Sequence, residues 1–392
     1  MNAEPKAWRA MDVVEWMDEG RVGVRPRDFL VELCERLVQA GAPLWRLRCG
    51  FRTLHPQFTA WGLTWMRGSD AAEQFIEHGL EKTNQYIGSP AQLVNESGKM
   101  LRRNLAQLGE ADHLVLHELA AQGATDYLAL PLRFSDGKFH TLMLATDSKA
   151  GFSGHDVAQF TVLARFLSPV LEVMSTRRMA RALLDTYVGP RTGKKILNGA
   201  VRRGDSELIH AALWFSDLRD FTRLSETLET GELLATLNEY FEFVTEAVTA
   251  RGGEVLRFIG DAMLIVFPVG AGRDSGEACA AALDSALDAT AALARVNRER
   301  RKRGQAEINF GVGLHTGEVV YGNVGAPARL DYTVMGPAVN LTARLEGLTK
   351  IVGESILFSR TFADRLRRKV ESRGFHALKG VARQYEALCL AK

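Results

Sequence analysis

The 392-residue chain has no excess of either charge, with 49 Lys and Arg against 47 Asp and Glu and a formal net charge of +2. So even a balance provides no field for a polyanion, and nucleic acid is excluded as an expected partner. Cysteine is scarce too. Cys34, Cys49, Cys279 and Cys389 stand apart without a CxxC pair, which excludes a disulfide framework and a cysteine zinc site and suits a reducing compartment. The first residues lack the basic start and apolar run of an export signal, since Glu4, Asp12 and Glu15 interrupt them. The longest apolar candidate, Val157 to Met174, is broken by Gln159, Arg165 and Pro169 and keeps helical spacing, so it reads as an amphipathic helix and no membrane partner is expected. The expected location is the cytoplasm.

What is present is length and apolar content, 46% of the residues, enough for two cores. The pattern divides the chain into a domain over 1–174, a coupling helix and linker over 175–206, and a second domain over 207–392. In the first, a helix carries Phe29, Leu30, Leu33 and Leu37, and strands are expected near Trp45 to Phe51 and Thr59 to Trp65. Thr125 to Phe134 alternates apolar and polar residues, Ser135-Asp136-Gly137 supplies turn chemistry, and Phe139 to Ala145 returns as the second strand of a hairpin. A helix after Ser153 runs on through Leu183 and Leu184 to Tyr187, where Gly189-Pro190 ends it, and Arg191 to Asp205 reads as linker.

The second domain opens with a strand from Ile209 to Phe215 and one long helix carrying Leu224 through Val248. Strands Glu254 to Phe258 and Ala262 to Phe267, an alanine-rich helix from about Ser275 to Arg301, and strands Ile308 to Leu314 and Val319 to Asn323 follow. That order, β-α-β-β-α-β, predicts a ferredoxin-like α+β fold, so the chain as a whole falls in the α/β class.

Two carboxylates sit where strands end. Asp217 follows Trp214-Phe215, and Asp261 occupies the turn Ile259-Gly260-Asp261 between strands expected to be neighbours. Singly, either suits a helix cap or a turn. Jointly they suit a hard cation such as Mg²⁺, which takes one or two carboxylates and completes its shell from phosphate and water. Beyond Asp217 the chain becomes helical, which leaves unpaired amides of a helix start beside that point for phosphate oxygens. Further on, Asn340 and Arg344 lie four apart on one face of a helix opened by Pro337. An amide and a guanidinium so arranged can serve a ribose and a charged phosphorus centre.

From Glu207 to Leu390 these residues resemble the class III nucleotidyl cyclases, through FSDLRDFT, RFIGDAMLIVF, GLHTGEVVYGNVG, LDYTVMGPAVNLTARLEGL and ALKG in the family's order. The stretch LALPLRFSDGKFHTLMLATDSKAGFSGHDVAQFTVLARFL resembles the end of a GAF-type sensory domain. The first resemblance implies an adenylate cyclase that makes cyclic AMP and pyrophosphate from ATP, with two Mg²⁺ ions per site or Mn²⁺ in their place. Asp217, Asp261 and Leu218 would form the metal site, and Phe221 and Thr222 would offer backbone contacts to phosphate. Asn340 would orient the ribose, Arg344 would stabilise the transition state, and Lys379 would bind terminal phosphates. Arg257 and Thr333 fall where the base is recognised. The family takes these groups from two subunits, which implies a homodimer. The second resemblance implies regulation of the cyclase by the amino-terminal domain, through a small-molecule effector or a protein signal.

This sequence departs from the family pattern at three positions. Arg257 stands where adenine-specific members carry Lys, and its fixed fork suits the acceptor edge of guanine. Thr333 replaces the usual Asp and marks a branch dominated by adenylate cyclases. Glu318 stands where some members have a phosphate-binding Arg. ATP is therefore the expected substrate, with a guanylate cyclase or a non-catalytic nucleotide-binding scaffold as alternatives. A diguanylate cyclase is set aside because no GG[DE]EF signature is present. The pair His113 and His117 reads as a surface helix without a metal, and the run Arg298 to Arg303 as cations offsetting a helix dipole.

Overall fold

A computed structural model describes residues 7–17, 25–270, 272–378 and 384–391, and the chain divides into two units, Met1–Leu183 and Leu184–Lys392. The first unit runs α1 (Ala10–Met17), α2 (Pro26–Gln39), β1 (Arg46–Arg52), β2 (Phe58–Met66), β3 (Ala72–Glu77), α3 (Pro90–Ser97), β4 (Leu101–Asn104), α4 (Leu114–Ala121), β5 (Asp126–Arg133), β6 (Phe139–Thr146) and α5 (Gly154–Val188). Its strands form one antiparallel sheet in the order β3-β2-β1-β6-β5-β4. The alternation along β5 explains why helices cover both faces. Leu128, Leu130 and Leu132 join the apolar cluster of α1, α2 and α5, whereas Tyr127 and Ala129 join that of α3 and α4.

The expected β5–β6 hairpin is present, closed by Phe134 donating its amide to the Lys138 carbonyl at 3.0 Å. Helix α5 is long and apolar enough to cross a membrane by length and composition. Its apolar side chains Phe160, Leu163, Leu167, Leu171 and Met174 are buried in the core of this unit, which accounts for that composition. His113 caps α4, its Nδ1 accepting from the Val115 amide at 3.2 Å, so the histidine pair is not an i, i+4 pair inside one helix.

The second unit runs from the end of α5 through α6 (Pro190–Leu197), β7 (Ser206–Leu218), α7 (Phe221–Thr227), α8 (Thr230–Ala250), β8 (Glu254–Ile259), β9 (Ala262–Pro268), α9 (Ser275–Lys302), β10 (Phe310–Ala326), β11 (Arg329–Met335), α10 (Pro337–Val352), β12 (Ile356–Ser359), α11 (Arg360–Ala363), β13 (Val370–Ala377) and β14 (Gln384–Leu390). The sheet order is β13-β14-β12-β10-β7-β9-β8, with β11 folded onto β10. Within it, β10-β7-β9-β8 is the antiparallel order of the expected β-α-β-β-α-β layout.

Along β7, Ala212, Trp214 and Leu218 face the cluster of α8 and α9, while Ala211 and Leu213 face the opposite side. Burying residues the size of Trp214, Tyr240 and Phe267 contributes roughly 1.5–3 kcal/mol each. Helix α10 can lie close against the sheet because β10 carries glycine where the two meet most tightly. A Cβ on Gly313 would sit 2.4 Å from the Glu346 amide nitrogen and 2.4 Å from the Thr342 carbonyl.

Four details differ from the sequence expectation. The single helix from Leu224 to Val248 is two, because Leu228 is extended between α7 and α8. The strands at 308–314 and 319–323 are one strand, β10, paired with β7 from Phe310 to Gly322, so Thr316-Gly317-Glu318 is no turn. Part of the expected linker is helix α6, which with Ala200 packs Ile196 onto the sheet cluster. Arg300, expected as a surface cation, is buried and donates to Glu239 at 2.6 Å, to the Ala306 carbonyl at 2.6 Å and to Thr236 at 3.2 Å, tying α9 to α8.

Candidate active site

Register brings the two strand-end carboxylates together. Asp217 pairs with Ala262 across β7 and β9, which puts Asp261 of the β8–β9 turn beside it. Gly260 makes that turn at φ +65°, a left-handed conformation that a glycine adopts without strain. The carboxyl of Asp261 is pushed up to about 6, first by burial and then by its hydrogen bond to Asp217 and the like charge there. Two carboxylates held so close favour a cation between them.

Both line a cleft of about 980 Å³ together with Leu218, Arg219, Phe221, Thr222 and Lys350. The chain turns into this cleft at Asp220, which has φ +57° and is the one non-glycine residue with positive φ among the described residues. Such a conformation costs about 1–3 kcal/mol and gathers at functional sites. It aims the start of α7 at the carboxylates, and the first amides of a helix have no partner within it. Behind Asp217, Ser216 Oγ accepts a 2.9 Å hydrogen bond from the buried Tyr240 hydroxyl, which fixes the end of β7 against α8.

Helix α10 brings a second set of charges that sequence reasoning missed. Lys350 Nζ lies 3.6 Å from Asp217 Oδ2. Arg219 reaches Thr349 Oγ1 and stands 3.9 Å from Glu346 Oε1. The Glu346 carboxyl is pushed up to about 7, first by burial and then by the charge of Asp217. In the sequence, Glu346 and Lys350 carry only the helical signal that Glu at i and Lys at i+4 share a face.

The other expected residues lie elsewhere. Arg257, Thr333, Asn340 and Arg344 do not line this cleft. Asn340 and Arg344 share the face expected of them, but at 1.5 Å per residue they stand about 15 and 9 Å along α10 from Lys350. Arg257 of β8 makes an ion pair with Asp331 of β11. Thr333 is 6% exposed, and its hydroxyl has no hydrogen-bond partner among the described residues. Lys379 lies outside the described residues.

The donor set fits a hard divalent ion. Among the described residues no group of three or more His, Cys, Asp or Glu side chains converges on one point, which argues against a closed protein cage. Two adjacent carboxylates at the mouth of an open cleft suit an ion that takes the rest of its shell from phosphate and water.

Comparison with known proteins agrees with this geometry. Residues 206–390 match the family model described as the Adenylate and Guanylate cyclase catalytic domain. The chain is similar to Adenylate cyclase 1 of Rhizobium meliloti, 40% identical over 149 residues that make up 37% of this chain and 22% of that protein. It is also similar to the Adenylate cyclase of Anabaena cylindrica, 39% identical over 149 residues, 37% of this chain and 28% of that one. The matched region thus spans only about a quarter of these curated relatives. Among solved structures, the adenylyl cyclase CyaB from P. aeruginosa is 27% identical with a TM-score of 0.44, covering 48% of this chain and 96% of that one. With the strand order, the paired carboxylates and the family match in agreement, the carboxy-terminal part of this chain, residues 206–390, belongs to the adenylate and guanylate cyclase catalytic domain family.

Proposed function

We propose that the second unit is an adenylate cyclase that converts ATP to 3′,5′-cyclic AMP and pyrophosphate as a homodimer. The observation that carries this reading is the side-by-side position of Asp217 and Asp261 on a cleft lined by the start of α7. Members of the family bind a nucleotide, use divalent metal ions and work as dimers. Here Asp217 and Asp261, with Leu218 beside them, would hold Mg²⁺ or Mn²⁺, which supplies charge neutralisation for the triphosphate and a lower pKa for the ribose 3′-hydroxyl.

The chain's own groups then position and exclude. The amides of Phe221 and Thr222 bind phosphate oxygens, and Lys379 takes the terminal phosphates. Asn340 orients the ribose, and Arg344 meets the charge that builds on the α-phosphorus. The deprotonated 3′-oxygen bonds to that phosphorus as its bond to the bridging oxygen of the β-phosphate breaks. Asn340 and Arg344 stand about 15 and 9 Å along α10 from Lys350 and do not line the cleft of their own chain, which supports a second copy as their site of action.

Adenine as the base is supported by the names of the two curated relatives. The unpartnered Thr333 hydroxyl is a buried polar group suited to meet a base. The first unit, read as GAF-like, is proposed to regulate the cyclase in response to a small-molecule effector, in keeping with a sheet covered by helices on both faces. A cytoplasmic location, without membrane or nucleic acid as partner, belongs to the same reading and rests on the even charge and the buried apolar face of α5.

The test is incubation of the purified chain with Mg²⁺ or Mn²⁺ and, separately, ATP, GTP, CTP and UTP, with cyclic products separated by chromatography. Cyclic AMP is expected to form fastest. The Asp217→Ala chain is expected to make none while melting within a few degrees of the parent, because Asp217 ends a strand at the cleft. Fastest turnover of GTP would replace this reading by a guanylate cyclase, and no cyclic product from any triphosphate would replace it by a nucleotide-binding scaffold.

A further inference from the structure

Asp331 has no part in the reading above, yet its carboxylate is in contact with the guanidinium of Arg257. The two residues come from separate strands, β8 and β11, 74 positions apart in sequence (331 less 257). Asp331 and Thr333 are two apart on β11, and β11 is pinned to β10 by continuous antiparallel pairing from Val320–Met335 to Ala326–Arg329. The ion pair therefore ties a side chain of the β8 end to the strand that carries Thr333.

Stability does not require this pair. The side chains are 49% and 39% exposed, and an ion pair so open to water contributes little to folding. What it does change is the hydrogen-bonding capacity of Arg257. An arginine presents five donors in a fixed fork, which matches the two acceptors O6 and N7 on the edge of guanine. A carboxylate accepts that same fork and neutralises its charge. The neighbouring Thr333 hydroxyl is a neutral group that either donates or accepts, with no partner of its own among the described residues.

We propose that Asp331 is a specificity-determining positioning residue, which engages the Arg257 guanidinium and so turns an arginine whose fork suits guanine into part of an adenine-accepting site. The inference rests on the reading that Arg257 and Thr333 meet the base. Arginine in place of lysine then carries no guanine preference here, because its partner removes it.

The test is the ratio of kcat/KM for ATP to that for GTP, measured on the full chain with Mn²⁺ for the parent, Asp331→Asn, Asp331→Glu, Arg257→Lys and Asp331→Asn with Arg257→Lys. Asp331→Asn is expected to move the ratio toward GTP by tenfold or more, and Asp331→Glu to restore the parent ratio. Adding Arg257→Lys to Asp331→Asn is expected to abolish the shift, since lysine is a point charge without a fork. An unchanged ratio in Asp331→Asn overturns the proposal, whether total activity holds or falls equally with both nucleotides. A shift that persists after Arg257→Lys overturns it as well. A parent chain that cyclises neither ATP nor GTP strikes instead at the cyclase reading beneath it, and melting curves of each variant register any loss of fold.

Discussion

Lys350 of α10 stands 3.6 Å from the Asp217 carboxylate, so a lysine of the chain addresses the same oxygens that the proposed metal site requires. An ammonium is a compact charge that competes with a divalent cation for one carboxylate. At 50% and 26% exposure the pair is open to solvent, and such pairs contribute about 0.2–1 kcal/mol.

Removing the competitor is therefore expected to tighten metal binding by about 1.5- to 5-fold, the factor that 0.2–1 kcal/mol represents. Calorimetric titration of Mn²⁺ into Lys350→Met and the parent measures this without reference to turnover. Weaker binding in Lys350→Met would show that the lysine supports the site, and would overturn the competition.

The glycines of β10 give a second prediction. Alanine at Gly313 must push α10 away, because its methyl carbon would meet backbone atoms of Glu346 and Thr342 at 2.4 Å. Overpacking of this kind costs about 1–3 kcal/mol. Since Asn340, Arg344, Glu346 and Lys350 all ride on α10, activity is expected to fall further than stability explains. Gly50→Ala in β1 is the control, for its methyl would meet only Met143 at 3.8 Å, an ordinary contact. Equal melting temperatures for the two variants would sink the argument.

How much of this was legible in the sequence depends on the distance over which each relationship acts. Strand and helix types follow from local periodicity, so β5, β6, β8 and β9 fall within a residue or two of expectation, and Pro337 after Gly336 marks the start of α10. The nearness of Asp217 and Asp261 was legible as well, because a short turn joins β8 to β9 and only the β7–β9 pairing had to be inferred. Arg219 with Glu346, Lys350 with Asp217 and Arg257 with Asp331 were not. Each joins charged residues more than 70 positions apart, two of them by docking α10 on the end of β7 and one across strands β8 and β11, and local periodicity tells which face a residue takes but not which element lies beside it. The break expected between the strands ending at Leu314 and starting at Val319 has the same origin: β7 holds β10 straight through a sequence that by composition suits a loop. Arg300 was misread because a run of cations at a helix end gives no sign of which one turns inward to Glu239.

A buried histidine sets the last expectation, the acid sensitivity of the second unit. His315 of β10 is 8% exposed, its Nδ1 lies 2.7 Å from Ser359 Oγ, and burial lowers its pKa to about 4. In the unfolded chain the imidazole titrates near 6.5. Between these values the unfolded state binds the extra proton and the folded state does not, so stability rises with pH across this window and is lost as pH falls from about 6.5 toward 4. The full span corresponds to roughly 3 kcal/mol from this one group. His315→Gln cannot gain the proton, so its stability is expected to change less between pH 7.5 and pH 5 than the parent's, even where its absolute stability is lower. Urea unfolding of both chains at pH 7.5, 6.0 and 5.0, followed by a probe in the second unit, measures the difference. Parallel pH dependences for the two would mean that His315 takes no part in it, and the slope would then belong to other buried groups.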